Sequence, residues 1–254
     1  MKVITPFNSV QYQSDLTKPM DISIAVRDIE EATRAWYVGR AEIEPVRIGG
    51  WVGTVKDGSG VNFYSVYFSP HAHGTHTETL GHVMEEKQSI DRRLSKYFFV
   101  SQVITCTLDE VNGDRIINTE AVLNAIDSKN PPEAIILRTP PNVEQVKKFI
   151  NYSNTNPPFM EAKLAAQLAD MGIDHLLIDT PSVDKEEDGG ALAAHHAFWK
   201  TQTDAPRENA TITELIFVPD EIEDGHYLLE LQIAPIENDA SPSRPTLYKM
   251  ELLE

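Results

Sequence analysis

Ser69–Val83 reads SPHAHGTHTETLGHV, with four histidines and one glutamate in fifteen positions, in a chain that has eight histidines in all. A twelve-residue window from 71 to 82 would carry about 0.4 histidine by chance. Clustering of this kind calls for a chemical reason. Imidazole and carboxylate together suit Zn²⁺, Mn²⁺ or Fe²⁺. His76 and Glu78 stand two apart, so an extended backbone puts them on one face, and the same rule puts His71 with His73. Gly74 lets the backbone turn between the two pairs, and His82 can return to the same place past Gly81. Any one of these histidines, taken singly, is more simply a satisfied core or loop residue. Taken jointly, they predict a metal site.

The bulk composition narrows the remaining classes. At 254 residues and 41% hydrophobic content, the chain can bury a full core. Its net charge of −17 excludes a nucleic-acid partner and an anionic membrane surface, both of which need clustered Lys and Arg. Short acidic concentrations at Lys185–Asp188 (KEED) and Pro219–Asp224 (PDEIED) do not amount to a tail. The single cysteine, Cys106, excludes an internal disulfide and reads as a buried thiol in VSQVITCTL. The first twenty residues hold no continuous apolar run, and no stretch approaches a membrane span, so a cytoplasmic location is expected.

Along the chain, Trp51–Phe68 suggests a hairpin turning at DGSG. Phe98–Leu108 is β-rich, and Thr119–Ile126 predicts a short helix capped by Thr119. Ala134–Leu137 and His175–Ile178 suit buried strands. The clearest helix spans Phe159–Met171, where Met160, Leu164, Leu168 and Met171 share a face and Gly172 follows. Ala191–Lys200 predicts a helix, and Ile212–Val218 and Tyr227–Ile233 predict strands. Alternating strands and helices with β-rich ends, without repeats or linkers, predict one α/β domain over residues 1–254. No G-x-S-x-G elbow, phosphate loop or G-x-G-x-x-G is present.

Gly74–His82 (GTHTETLGH) resembles the signature H-x-G-T-H-x-D-x-P-x-H of the metal-dependent cyclase/hydrolase family, which includes bacterial kynurenine formamidase and isatin hydrolase. Further segments resemble the family in the same order: Asp21-Ile22-Ser23, Arg138-Thr139, Asp179–Asp184 (DTPSVD), His195–Trp199 (HHAFW) and Ile212–Leu215 (ITEL). Three departures stand in the central motif. Ala72 occupies the position of the first histidine, which His71 or His73 can replace only with a one-residue shift. Glu78 replaces aspartate, and Leu80 replaces proline. Lys200–Ala210 looks like an insertion between His195 and Glu214.

The resemblance implies a swivelling β/β/α fold, assembled as a homodimer or homotetramer. It also implies hydrolysis of a small-molecule amide, formamide, lactam or ester with a divalent metal, Zn or Mn. The expected ligands are His73, His76 and Glu78, with His195 and Glu214 closing the site. His196 is an alternative to His195, since neighbours on a helix point about 100° apart. His82 is either a ligand for a second ion or the catalytic acid/base, a role that suits imidazole. Trp36 falls where relatives carry an aromatic near substrate, and Asp179 and Asp184 are candidates to orient a metal-binding histidine. The alternative reading is a relative that binds metal or a small carboxylate without turnover.

Overall fold

Four strands, Phe98–Thr105, Ala134–Arg138, His175–Ile178 and Thr211–Glu214, are almost wholly buried, and the first three are rich in apolar residues. Such runs arise where a parallel sheet is covered on both faces. In the computed structural model, which describes residues 1–253, these four strands are parallel neighbours at the centre of a nine-stranded sheet. Antiparallel strands extend it at both ends. Ala240–Pro242 and His76–Glu78 lie beyond Thr211–Glu214, while Gly225–Glu230, Thr246–Lys249 and Met20–Asp21 lie beyond Phe98–Thr105. The result is a single-domain α/β fold with one large mixed sheet and few helices.

Side-chain alternation assigns the two faces. Ile135, Leu137, Leu176, Ile178 and Ile212 pack with Leu164, Leu168 and Phe198 from the helices Ala162–Asp170 and Ala193–Trp199. Ala134, Ile136 and Leu177 face the other way, onto Ile22, Ile216, Leu229 and Leu247. Each buried leucine or isoleucine contributes about 1.5–3 kcal/mol of transfer free energy, so this layering carries most of the stability.

The expected helices and central strands form, with shifted ends. The helix expected at Phe159–Met171 spans Ala162–Asp170, with Met160 buried just before it and Gly172 at φ +83° after it. The one expected at Thr119–Ile126 spans Thr119–Ala125 and is capped by Asn118, whose Oδ1 accepts from the Ala121 amide at 2.8 Å, and not by Thr119. The strands end at Glu214 and Glu230, short of Val218 and Ile233, although Ile233 still forms an isolated antiparallel bridge with Ser243. The hairpin expected across Trp51–Phe68 does not form. Gly49 and Gly50, both at positive φ, close a turn that pairs Trp51–Val52 back onto Arg47–Ile48, while Tyr64–Tyr67 pairs with Glu42–Pro45. A two-residue Gly-Gly turn matches strand twist better than the longer DGSG stretch.

One buried ionisable group makes the sheet acid-sensitive. His175 is 4% exposed, with Nδ1 2.8 Å from the Thr211 hydroxyl and its ring 4.0 Å from that of Phe99. Burial, with Lys96 and Arg207 adding to it, pushes its pKa from 6.5 down to about 3. The unfolded chain therefore binds this proton more tightly than the folded one. The contribution is full above pH 6.5 and is lost as the pH falls toward the folded value, at about 1.4 kcal/mol per pH unit. Between pH 7 and about pH 4.5, urea unfolding of the parent should lose about 2–3 kcal/mol more than His175→Asn loses. Equal losses would contradict this.

Candidate metal centre

The register of the sheet edge builds the site. His76 lies opposite Glu214, and Glu78 opposite Ile212, across an antiparallel pair. Cross-strand partners point to the same face, so His76, Glu78 and Glu214 all project toward the helix layer, where Ile212 packs. Thr77 projects the other way and bonds the hydroxyls of Thr213 and Ser243, each at 2.8 Å. Helix Ala193–Trp199 closes the same side and brings in His195. Ahead of the strand, Gly74 sits at φ +78°, and a Cβ there would lie 2.6 Å from the carbonyl oxygen of Ile24. Only glycine fits that approach.

The polar atoms converge. His71 Nδ1 lies 2.9 Å from Glu78 Oε2, and His195 Nε2 lies 3.1 Å from Glu78 Oε1, so each carboxylate oxygen faces a different imidazole. His76 Nε2 is 3.4 Å, and His195 Nε2 3.6 Å, from the Glu214 carboxylate, whose Oε1 also accepts from the Val183 amide at 3.0 Å. His195 Nδ1 binds Asp184 Oδ2 at 2.6 Å, and Asp184 Oδ1 accepts from the Ala194 amide at 2.7 Å. Asp184 thus fixes the ring so that Nε2 faces Glu78. Asp239 adds a further carboxylate, 2.7 Å from His71 Nε2 and 3.5 Å from His82 Nδ1, with the His82 ring stacked 4.2 Å from that of His71. Ligand atoms from His71, His76 and Glu78 lie within 4.8 Å of one another, as do those of Glu78, His82 and His195, and those of His71, His82 and Asp239.

Hydrogen bonding accounts for the first of these groups poorly. Among the described residues, the buried atoms His71 Nδ1, His76 Nε2 and Glu78 Oε2 have no hydrogen-bond partner. The 2.9 Å contact between His71 Nδ1 and Glu78 Oε2 is close enough for a bond but is not aligned as one. Buried polar atoms without partners are costly, and three of them converging as N, N and O donors make the donor set of a divalent metal.

Comparison with known proteins adds an independent line. Residues 14–185 match the Cyclase family model, described as "Putative cyclase". The kynurenine formamidase of Bacillus cytotoxicus is 30% identical over 199 residues, covering 76% of this chain and 83% of that protein. The chain belongs to the cyclase family. Its fold agrees with solved structures of low sequence identity. A "predicted metal-dependent hydrolase" from Bacillus stearothermophilus is 15% identical with a TM-score of 0.63, covering 91% of this chain and 98% of that one. Isatin hydrolase A from Labrenzia aggregata, bound to benzyl benzoate, is 15% identical with a TM-score of 0.61, covering 93% and 94%.

Within this cyclase-family chain, the structure brings together His76, Glu78, His82, His195 and Glu214. It does not bring His73. That ring is turned away, with Nε2 2.8 Å from the Gly39 carbonyl and Nδ1 beside Ser69, and His71 enters the cluster in its place. The reason is local. The amides of Ala72 and His73 both bond the Ser69 carbonyl at 3.1 Å, so the segment is a turn and alternation does not apply to it. His196 also points away, bonded to the Thr201 hydroxyl. Trp36 is half-buried, and its indole N–H donates to the His71 carbonyl at 3.1 Å. Asp184 reaches a site histidine, whereas Asp179 is buried among Thr139 and Lys147. Segment 200–210 folds back through Arg207, which donates to the Phe198 and Ile173 carbonyls and returns the chain to the sheet.

The electrostatics of the cluster favour positive charge. Burial alone would depress the pKa of His71, but Asp239 and Glu78 outweigh it and hold the imidazole at about 10. His195 reaches about 10 in the same way, burial being outweighed by Asp184, Glu78 and Glu214. Burial would raise the Glu78 carboxyl, yet His82, His195 and His71 hold it well below its usual range. A field that retains protons on buried imidazoles also attracts a cation, which competes with those protons.

Proposed function

We propose that this cyclase-family chain is a metal-dependent hydrolase of a small amide, formamide, lactam or ester. One observation carries the metal reading: the three buried, unpartnered donor atoms of His71, His76 and Glu78. These residues would hold the ion, with His195 and Glu214 beside them. Zn²⁺ and Mn²⁺ both suit that mixed nitrogen and oxygen set. When bound, such an ion polarises a scissile carbonyl and makes water a better nucleophile near neutral pH.

The remaining chemistry belongs to the side chains. His82 is 30% exposed, placed between the cluster and solvent, and Asp239 orients its Nδ1. It accepts the proton of the attacking water and returns it to the leaving nitrogen or oxygen as the carbonyl–heteroatom bond breaks. Asp184 holds His195 in one tautomer throughout. The kynurenine formamidase and isatin hydrolase relatives support this reaction class. Assembly as a homodimer or homotetramer is part of the proposal, supported by the exposed Trp51, Phe63, Tyr64 and Tyr67 on the arm before the site.

The test pairs turnover with stability. Chelator-treated protein should hydrolyse no member of an amide and ester panel, and restoring Zn²⁺ or Mn²⁺ should bring hydrolysis back. At a metal concentration about 100-fold above Kd, binding contributes about 2.7 kcal/mol. That corresponds to a rise in Tm of about 5–10 °C for a chain of this size. Hydrolysis that survives chelation would sink the proposal. A Tm shift without hydrolysis of any panel member would favour the non-catalytic reading instead.

A further inference from the structure

A cavity of about 640 Å³ opens beside the metal centre, with Gly81 and Asp239 on its lining. That volume is within the range of small-molecule sites. Asp239 is the carboxylate that bonds His71 Nε2 at 2.7 Å and lies 3.5 Å from His82 Nδ1, so the cavity and the metal centre share one side chain. The same lining carries Lys87, Arg92 and Arg93, with Glu237 beside Arg92. In a chain with 22 Lys and Arg among 254 residues, a wall of ten residues would hold about one basic side chain by chance.

The three cations differ in how firmly they are engaged. Arg93 is tied down, with Nε 3.0 Å from Gln88 Oε1 and Nη1 2.7 Å from Glu208. Arg92 pairs only with Glu237, and both side chains are about 70% exposed, so the pair lies in water and is weak. Lys87 is exposed and has no ion pair among the described residues. The backbone that carries them is held against the histidine motif, because a Cβ at Gly81 would lie 2.5 Å from the Gln88 carbonyl oxygen. The rim therefore presents two exchangeable cations at a fixed place, on a molecule whose net charge is −17.

We propose that the substrate carries an anionic group of carboxylate type, held at the rim by Lys87 and Arg92, with its scissile bond directed inward toward His82. The direction of the scissile bond rests on the hydrolase reading; the anion site does not. An arginine fork suits a carboxylate, and exchanging Glu237 for a ligand carboxylate keeps the guanidinium paired.

The test uses two probes that differ only in that group, 4-formamidobenzoate and formanilide, on the metal-loaded chain. Calorimetry should show the carboxylate probe binding at least about 10-fold tighter to the parent, a difference that shrinks as salt is raised. The double variant Lys87→Ala/Arg92→Ala should reduce the preference to about 2-fold or less, while Lys87→Arg/Arg92→Lys should keep most of it. Equal binding of the two probes by the parent would overturn the proposal. So would a preference that survives the alanine pair, since the carboxylate would then be binding at the metal centre. Turnover is followed in the same samples. Absence of hydrolysis across these probes and the amide and ester panel, with the rim preference intact, would sink the hydrolase reading and leave the anion site standing.

Discussion

The His76→Ala chain should retain its fold, lose its metal and hydrolyse the parent's substrates at least about 1,000-fold more slowly, a loss of about 4 kcal/mol in transition-state stabilisation. His76 is wholly buried on a sheet strand, directly opposite Glu214, and its Nε2 has no hydrogen-bond partner among the described residues. Removing the ring takes away the imidazole that lies between the strand and the Glu214 carboxylate. It also leaves a cavity in a packed layer, so some stability is lost with the metal. His76→Asn keeps a polar group in that space and separates the two effects. Near-ultraviolet circular dichroism of parent type, with metal absent in both variants, is the expected pattern. Metal retained in either variant at the parent's stoichiometry would remove His76 from the ligand set.

Asp184→Asn should have the second-largest effect, through a residue that is not itself expected to touch the ion. Its carboxylate accepts from the His195 ring at 2.6 Å and from two amides at the start of helix Ala193–Trp199. An amide in its place can still accept one bond, but it no longer favours the tautomer that leaves Nε2 free to face Glu78. Losses of this kind cost about 10- to 100-fold in metal affinity or activity. Metal titration by competition with a chromophoric chelator reads the affinity directly. An affinity within about 2-fold of the parent would mean that His195 is oriented by the helix alone.

How much of this was written in the sequence depends on the range of the interaction. His76 and Glu78 were legible because a strand alternates with period two, and Ile212–Leu215 carried Glu214 at a motif position. Ala134–Leu137 and His175–Ile178 were legible because a short apolar run suits a strand covered on both faces. The exchange of His73 for His71 was not, because the choice turns on two amides bonding the Ser69 carbonyl, and a turn of that kind leaves no clear mark in HAHG. Asp239 was missed altogether. It arrives because Ala240–Pro242 pairs beside His76–Glu78, with Ala240 opposite Glu78, and NDASP has no pattern that announces a sheet register. The Trp51–Phe68 hairpin failed for a nearer reason: two adjacent glycines at 49 and 50 made the better turn and were passed over.

The most direct test of the central claim is metal content, measured by inductively coupled plasma mass spectrometry on the parent, His71→Ala and His73→Ala purified in parallel. The geometry predicts near-stoichiometric metal in the parent, loss in His71→Ala and retention in His73→Ala, whose ring bonds Gly39 away from the cluster. Loss in His73→Ala with retention in His71→Ala, or a parent that binds neither Zn²⁺ nor Mn²⁺ when supplied, would contradict the account.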